Sequence, residues 1–151
     1  MKPNEAFNKL GDVREEFFAA KFSLVETLRA YNADAEVHHA GNQQHVTLGH
    51  LQVCSDNLQI TYVLRLFAEF EGILRDYWHY ARKRTTDPPM AVLMDSLAAY
   101  CHMKADDVRN AHEVREYRND VVHDHLQDSR LDFPECCSRL ARFLRWLPQR
   151  W

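Results

Sequence analysis

The sequence predicts an all-α protein, an up-and-down bundle of four to five helices. Apolar residues recur at intervals of three and four over long segments, which is the periodicity of a helix face packed on a core. Only four Gly and five Pro occur among 151 residues, as expected for long helices joined by short connections. No segment alternates apolar and polar residues in a sustained way, apart from an ambiguous "HVTLGHLQV", so a sheet is not predicted.

The first helix is predicted to begin at Asn4, which follows Pro3 and can cap it, and to end near Tyr31. Its apolar stripe consists of Phe7, Leu10, Phe17, Leu24, Val25 and Leu28. From Ala33 to Asp56 this pattern gives way to a polar, histidine-rich segment containing "HHAGNQQHVTLGH". We expect a long connection here, of the kind that is often functional or mobile.

The second helix has the clearest pattern, with Ser55 or Asp56 as its predicted cap. Its broad apolar face comprises Tyr62, Val63, Leu66, Phe67, Phe70, Ile73, Leu74, Tyr77 and Trp78. It is expected to end near "RKRTTDPP", because Pro88 and Pro89 prevent continuation and suit the first turn of a third helix. That third helix carries Met90, Leu93, Met94, Leu97 and Tyr100.

A fourth helix is predicted over about 108–125, capped by Asp106 or Asp107, and a fifth opens at Asp132 before Phe133 and Pro134. The inner side of the fifth helix consists of Leu140, Phe143, Leu144 and Leu147. A chain of this length can bury about 70% of its unfolded surface in one core. We therefore expect a single helical domain over residues 1–151.

Composition limits the classes of function. No apolar run is long enough to cross a bilayer, and "MKPNEAFNKL" lacks the apolar core of a signal peptide, so a cytoplasmic protein is expected. All four cysteines are expected to be reduced, since Cys54 and Cys101 lie in apolar surroundings while Cys136 and Cys137 are adjacent.

The charge distribution gives no strong indication of a partner. A formal net charge of −3 argues against coating nucleic acid by bulk electrostatics. Local basic patches occur at Arg82–Arg84 and at Arg139, Arg142 and Arg145, which recur every three residues. Taken alone, each patch is best interpreted as a solvated helix face.

The fourth helix, "VREYRNDVVHDH" in its second half, carries an unusual cation. At about 100° per residue, one arc collects Val114, Tyr117, Val121 and Val122, and Arg118 falls inside it. A guanidinium removed from water costs several kcal/mol unless it is paired. Glu71, on the shoulder of the second helix, is the expected partner, and a structural ion pair is the simplest interpretation of this geometry.

His123 is predicted in the last turn of the same helix, where the helix dipole and the carboxylates of Asp120 and Asp124 favour the imidazolium form. Five residues place it about 140° around the axis from Arg118. It shares a face with His112 and Asn119, with Arg115 at the edge. An isolated surface histidine usually has no catalytic role, so a second feature is needed before His123 indicates catalysis.

The second feature is a resemblance. "REYRNDVVH" resembles the signature of HEPN domains (higher eukaryotes and prokaryotes nucleotide-binding), an Arg, usually followed by a polar residue, with a His four to six positions on. Arg118, Asn119 and His123 fit this signature. "FAEFEGILRDY" resembles the first core helix pair of that superfamily, with Glu71 at the position of its acidic residue. In outline the resemblance covers the whole chain.

The resemblance implies a compact helical bundle and a metal-independent endoribonuclease that cleaves single-stranded RNA without a cofactor, frequently as a toxin or defence effector. Such proteins act as homodimers in which two copies of the motif face each other across a cleft. By this resemblance His123 would transfer a proton at the ribose 2′-hydroxyl or the leaving oxygen, Arg118 would stabilise the charged phosphorus centre, and Asn119 would orient His123 or the phosphate.

Further roles are expected for neighbouring residues. Arg115 and His112 are candidates for RNA binding, Glu71 is a possible supporting residue, and an antitoxin protein is a possible partner. Some members carry, two residues after the His, a tyrosine that a nucleotidyltransferase modifies; His125 occupies that position here, so this regulation is not implied. Other members are non-catalytic modules that bind a nucleotide or a protein, and this remains the alternative function.

Rival chemistries lack their motifs. Nine histidines and four cysteines invite a metal site, with His38, His39, His45, His50 and Cys54 close together, yet no Cys-x2-Cys or His-x3-His pair occurs. We predict no metal and expect these histidines in solvent or in a dimer contact. A Gly-rich phosphate loop and a Gly-x-Ser-x-Gly elbow are also absent from the sequence.

Overall fold

The computed structural model describes residues 3–123 and 131–148. These residues form six α-helices and one π-helical turn and contain no strand. In chain order the helices are α1 Pro3–Ala33, α2 Ala35–Gln43, α3 Leu48–Asp76, α4 Met90–Tyr100, α5 Ala105–Val122 and α6 Phe133–Leu144, with the π-helical turn Tyr77–Ala81 directly after α3. The all-α prediction is confirmed, with more helices than the four to five expected. None of the described helices combines the length and apolar character needed to cross a bilayer.

Helices α1 and α3 form the long antiparallel pair at the centre of the fold. Lys9 Nζ lies 3.8 Å from Glu69 Oε2 near one end, and the Phe17 and Tyr62 ring centroids are 5.6 Å apart further along. An exposed ion pair of this kind contributes only about 0–1 kcal/mol. The pair is therefore held mainly by buried apolar side chains, which include Leu10, Val13, Phe17, Leu66, Phe70 and Ile73.

Helix α6 closes the core, and its predicted start is confirmed. The carboxylate of Asp132 accepts a hydrogen bond of 2.7 Å from the backbone N–H of Glu135, which makes Asp132 the N-cap. The Phe133 ring then packs 4.1 Å from Phe17, and the Phe143 ring packs 5.5 Å from Phe70. Helix α6 therefore packs on both α1 and α3.

The long connection predicted between Ala33 and Asp56 is wrong. Asp34 caps α2 by accepting from the backbone N–H of Glu36 at 2.8 Å. Thr47 caps α3 through a reciprocal pair, in which Thr47 Oγ1 accepts from the His50 N–H at 3.2 Å and His50 Nδ1 accepts from the Thr47 N–H at 3.3 Å. This is a capping box with histidine in place of glutamate. Ser55, predicted as a cap, lies inside α3.

The histidines of this region have local structural partners. His38 Nδ1 lies 3.2 Å from Asn42 Nδ2, and His39 Nε2 lies 3.1 Å from Gln43 Nε2. Both pairs are four residues apart on α2, so they stabilise a short helix. Within the described ranges, no three His, Cys, Asp or Glu side chains form a group that could hold a metal ion.

The π-helical turn and the segment after it lead the chain into α4. Trp78 Nε1 donates to the Thr86 carbonyl at 2.8 Å. His79 Nδ1 lies 2.8 Å from the Arg84 carbonyl oxygen, and its Nε2 lies 2.9 Å from Asp87 Oδ1. The hydrogen bond to the Arg84 carbonyl, followed by the one to Asp87, raises the pKa of His79.

All four cysteines are free thiols with different exposures. Cys54 is exposed, so the apolar surroundings expected for it are wrong, because α3 begins earlier than predicted and carries Cys54 on its outer side. Cys136 and Cys137 are buried against the core. Burial raises the pKa of Cys136 to about 12 and that of Cys137 to about 11.

Candidate functional site

Helix α5 carries the predicted site and packs on the core through Ala111, Val114 and Tyr117. Its N-cap is Lys104, so Asp106 and Asp107 lie in the first turn instead of capping the helix as predicted. Carboxylates in that turn interact favourably with the positive end of the helix dipole and stabilise the helix. Val122, predicted on the core face, is 50% exposed, because it lies about 80° from Val114 around the axis.

Arg118 is half-buried and held by neutral groups. Its guanidinium lies 5.8 Å from the ring centroid of Phe67 in α3, a cation–π contact. Its Nη1 donates to Asn119 Oδ1 at 3.1 Å. No carboxylate among the described residues forms an ion pair with it. Within residues 3–123 and 131–148, the positive charge of Arg118 is therefore oriented without being neutralised.

The predicted Glu71–Arg118 pair is wrong. Glu71 Oε1 accepts from Arg75 Nε at 2.9 Å and from Arg75 Nη2 at 2.7 Å. The two residues are four apart on α3, the spacing at which side chains on one helix meet. Glu71 is thus neutralised within its own helix. Arg118 instead lies over Phe67, which is one turn before Glu71 on α3.

His123 is the C-cap of α5 and is exposed. Its backbone N–H donates to the Asn119 carbonyl at 3.0 Å. Asn119 therefore contacts both motif residues, Arg118 through its side chain and His123 through its main chain. Asp124 and His125, which entered the sequence predictions, lie outside the described residues.

A second polar cluster lies one turn earlier on the same face of α5. His112 Nε2 is 2.8 Å from Asp95 Oδ1 of α4, and Arg115 Nε donates to His112 Nδ1 at 3.4 Å. Arg115 also makes a long contact of 3.5 Å with Glu116 Oε1. His112 is thus fixed to α4 and in turn positions Arg115.

Two features of the site were not predicted from the sequence. Asp95 carries no local signal, because its partner lies on the next helix. The basic residues of α6 were interpreted as one solvated face, but they separate. Arg139 is paired with Glu113 and Glu135, whereas Arg142 and Arg145 line a groove between α6 and α1.

Other side chains that could stack on a base or bind a phosphate have partners within the fold. Arg82 stacks on the Tyr100 ring, with its Cζ 3.4 Å from the ring centroid. Trp146 donates from Nε1 to Asp107 Oδ2 at 2.9 Å, which fixes the end of α6 to the start of α5. Trp151 lies outside the described residues.

Comparison of the chain with protein-family models, with curated proteins and with solved structures gave no match.

Proposed function

We propose that this protein is a HEPN-like, metal-independent endoribonuclease that cleaves single-stranded RNA at a site built from Arg118, Asn119 and His123. One observation carries the proposal. The Arg118 guanidinium is half-buried and oriented by a ring face and an amide oxygen, with no carboxylate paired to it among the described residues. A guanidinium held in this way can bind the oxygens of a phosphate.

The reaction that suits these groups is internal transesterification. The ribose 2′-oxygen attacks phosphorus, the bond from phosphorus to the 5′-oxygen breaks, and the products are a 2′,3′-cyclic phosphate and a 5′-hydroxyl. One proton leaves the 2′-oxygen and one reaches the 5′-oxygen, which is work for an imidazole near neutral pH. Arg118 would stabilise the extra negative charge at phosphorus.

A homodimer would bring the two groups together. On one helix Arg118 and His123 are about 140° apart around the axis, so a single copy does not present both to one phosphate in a simple way. A twofold axis near the end of α5 would place each motif opposite its copy. Half-exposed Val122 lies between the two residues in sequence and supplies apolar surface for such a contact.

The flanking cluster would extend the RNA site. Arg115 lies one turn before Asn119 on the same face and would contact a neighbouring phosphate, while His112 and Asp95 would hold Arg115 in place. Glu71 would act only indirectly, by binding Arg75 on α3. A role in a toxin–antitoxin or defence system, with an antitoxin as partner, belongs to the same proposal.

The test is cleavage of varied single-stranded RNAs in EDTA by purified protein, with product ends identified by mass spectrometry. We expect cyclic phosphate ends, no cleavage where the scissile ribose is 2′-deoxy, and a loss of about 10²–10⁴-fold in Arg118→Ala and in His123→Ala. Arg109→Ala and His39→Ala, at exposed positions with local partners, are the matched controls. Absence of cleavage by wild-type protein, or full activity in either site variant, would contradict the proposal.

A further inference from the structure

A groove of about 540 Å³ runs between α1 and α6. Arg139, which pairs with Glu113 of α5, is not among its lining residues. The floor of the groove is largely apolar and its walls are basic. The lining residues include Phe7, Leu10, Phe18, Pro134 and Ala141. Along α1, Phe18 lies eleven residues after Phe7, a separation of about 16 Å or roughly three helical turns.

Three arginines line this groove, Arg14 from α1 and Arg142 and Arg145 from α6. None of them has an ion-pair partner among the described residues. The reason is visible in the sequence, because positions three and four residues away from each contain no carboxylate. Arg139, on the same helix, has Glu135 at that spacing and is paired with it.

One carboxylate close to Arg142 and Arg145, that of Asp107, is bound to another residue. Asp107 shares a cleft with Arg142, Arg145 and Trp146, but its Oδ2 accepts from Trp146 Nε1 at 2.9 Å and it forms no ion pair with either arginine. The cleft adjoins the groove through the two shared arginines. The positive charge of this face is therefore available to a partner.

The floor has room for a bulky side chain at its middle. A Cβ atom added at Gly11 would meet nothing within 4 Å, so the groove is open above this position. Phe18, at one end, is 47% exposed, and Phe22, one turn further along α1, is 69% exposed. An apolar strip therefore continues from the groove along the outer side of α1.

We propose that this groove binds an acidic amphipathic helix of another protein, with its apolar face on the floor and its carboxylates against the three arginines. Helix-in-groove binding of this kind uses apolar anchors at i, i+3, i+4 and i+7. The apolar lining favours this occupant over RNA, because Phe18 and Ala141 offer apolar surface to leucine-sized side chains and nothing to phosphates. Binding of a helix in this groove does not require that the protein cleave RNA.

The experiment uses a fluorescein-labelled synthetic helix of about 14 residues, with leucines at i, i+3, i+4 and i+7 spacing and glutamates on the flanking positions. Binding to the full chain is measured by fluorescence anisotropy. We expect saturable binding that weakens with salt, at least about tenfold weaker binding to Arg14→Glu/Arg142→Glu, and a similar loss with Gly11→Trp, which fills the floor. Lys83→Glu, in the segment before α4, is the charge control.

Three outcomes would overturn the proposal. The first is that the acidic helix binds no better than versions with glutamines for its glutamates or serines for its leucines, or binds the groove variants as well as wild type. The second concerns RNA: a single-stranded RNA 12-mer binds to His123→Ala protein, and adding the groove substitutions to that protein abolishes RNA binding while peptide binding is kept. This result would make the groove an RNA site. The third is that they change the sedimenting mass, which would make the occupant a second copy of the chain.

Discussion

At the scale of single residues, the arginines of this protein differ in whether a carboxylate lies one helical turn away. Arg75 has Glu71 and Arg139 has Glu135 at that spacing, and both are paired. Arg118 has Val114 and Val122 at the same distance. Its own helix therefore leaves the guanidinium charge uncompensated, and the fold orients it with the Phe67 ring and the Asn119 amide.

This interpretation predicts the effect of Asn119→Asp. The new carboxylate would lie where Asn119 Oδ1 now accepts from Arg118 at 3.1 Å, and would neutralise the guanidinium. We expect RNA cleavage to fall by about 10²-fold, while the free energy of unfolding changes by less than about 1 kcal/mol. Cleavage rates and urea titrations measure the two quantities. Wild-type cleavage by this variant would show that the free charge of Arg118 is not needed.

Glycines provide a second prediction at this scale. Gly11 and Gly72 lie inside helices with nothing within 4 Å of an added Cβ, so Gly→Ala at either should stabilise the fold by about 0.5–1 kcal/mol. At Gly41 the added Cβ would lie 2.6 Å from Tyr31 Cε2. That ring is held by its hydroxyl, which donates to the Val46 carbonyl at 3.0 Å.

We therefore expect Gly41→Ala to destabilise the fold by about 1–3 kcal/mol. Thermal unfolding monitored by circular dichroism compares the three variants. The packing described around Tyr31 would be wrong if all three shifted the melting temperature in the same direction.

At the scale of elements, periodicity predicted those helices whose apolar face packs on the core. The first helix, the third helix from Met90 and the last helix from Asp132 are close to their predicted positions. Helix α2 was missed because it buries no residue and so has no apolar stripe to detect. The early start of α3 depends on His50 acting as a capping partner of Thr47, a role usually associated with Glu or Gln.

The site was predictable in part for the same reason. The positions of Arg118, Asn119 and His123 on one helix follow from its period. Glu71 could pair with Arg75 on its own helix or with Arg118 on α5. The sequence alone does not specify which of these two arginines lies closer to the Glu71 carboxylate. The His112–Asp95 contact depends on how α4 packs on α5, which periodicity does not specify.

The segment between α3 and α4 predicts a pH dependence of stability. The Arg84 carbonyl and Asp87 raise the pKa of His79 above its ordinary value of 6.5. Because the folded-state pKa is raised, the stabilisation is fully present below pH 6.5 and is lost as pH rises through the higher folded-state value. Arg75, 3.7 Å from Asp87, acts against this shift.

Melting temperatures of wild type and His79→Gln, measured from pH 5.5 to 8.5, test this dependence. The difference between the two proteins should shrink as pH rises above 6.5. A difference that is constant over this range would mean that the His79 contacts do not depend on its protonation.

At the scale of the whole molecule, burial separates the thiols into classes. Cys54 is exposed, while Cys136 and Cys137 belong to the core and have pKa values raised to about 12 and about 11 by burial. We expect one thiol to react rapidly with an aromatic disulfide reagent at pH 8, and the buried pair to react only as the protein unfolds. Rapid reaction of more than two thiols in native protein would contradict the packing of α6.

The two proposed binding surfaces both involve α6 or a helix packed on it. Helix α5 carries the proposed RNA site and is tied to α6 through Arg139 and Glu113. Helices α6 and α1 form the basic groove. His123 is not among the residues that line the groove. A partner helix bound there could influence cleavage through the packing of α6 on α5.

If Arg118 of one protomer and His123 of its partner form one site, two inactive variants should complement each other when their subunits are mixed. Arg118→Ala and His123→Ala proteins are each assayed alone and then after joint refolding to allow exchange. Half of the mixed dimers would be heterodimers with one intact site of two, so RNA cleavage should return to about a quarter of the wild-type rate. A mixture that stays as inactive as either variant alone would contradict the claim.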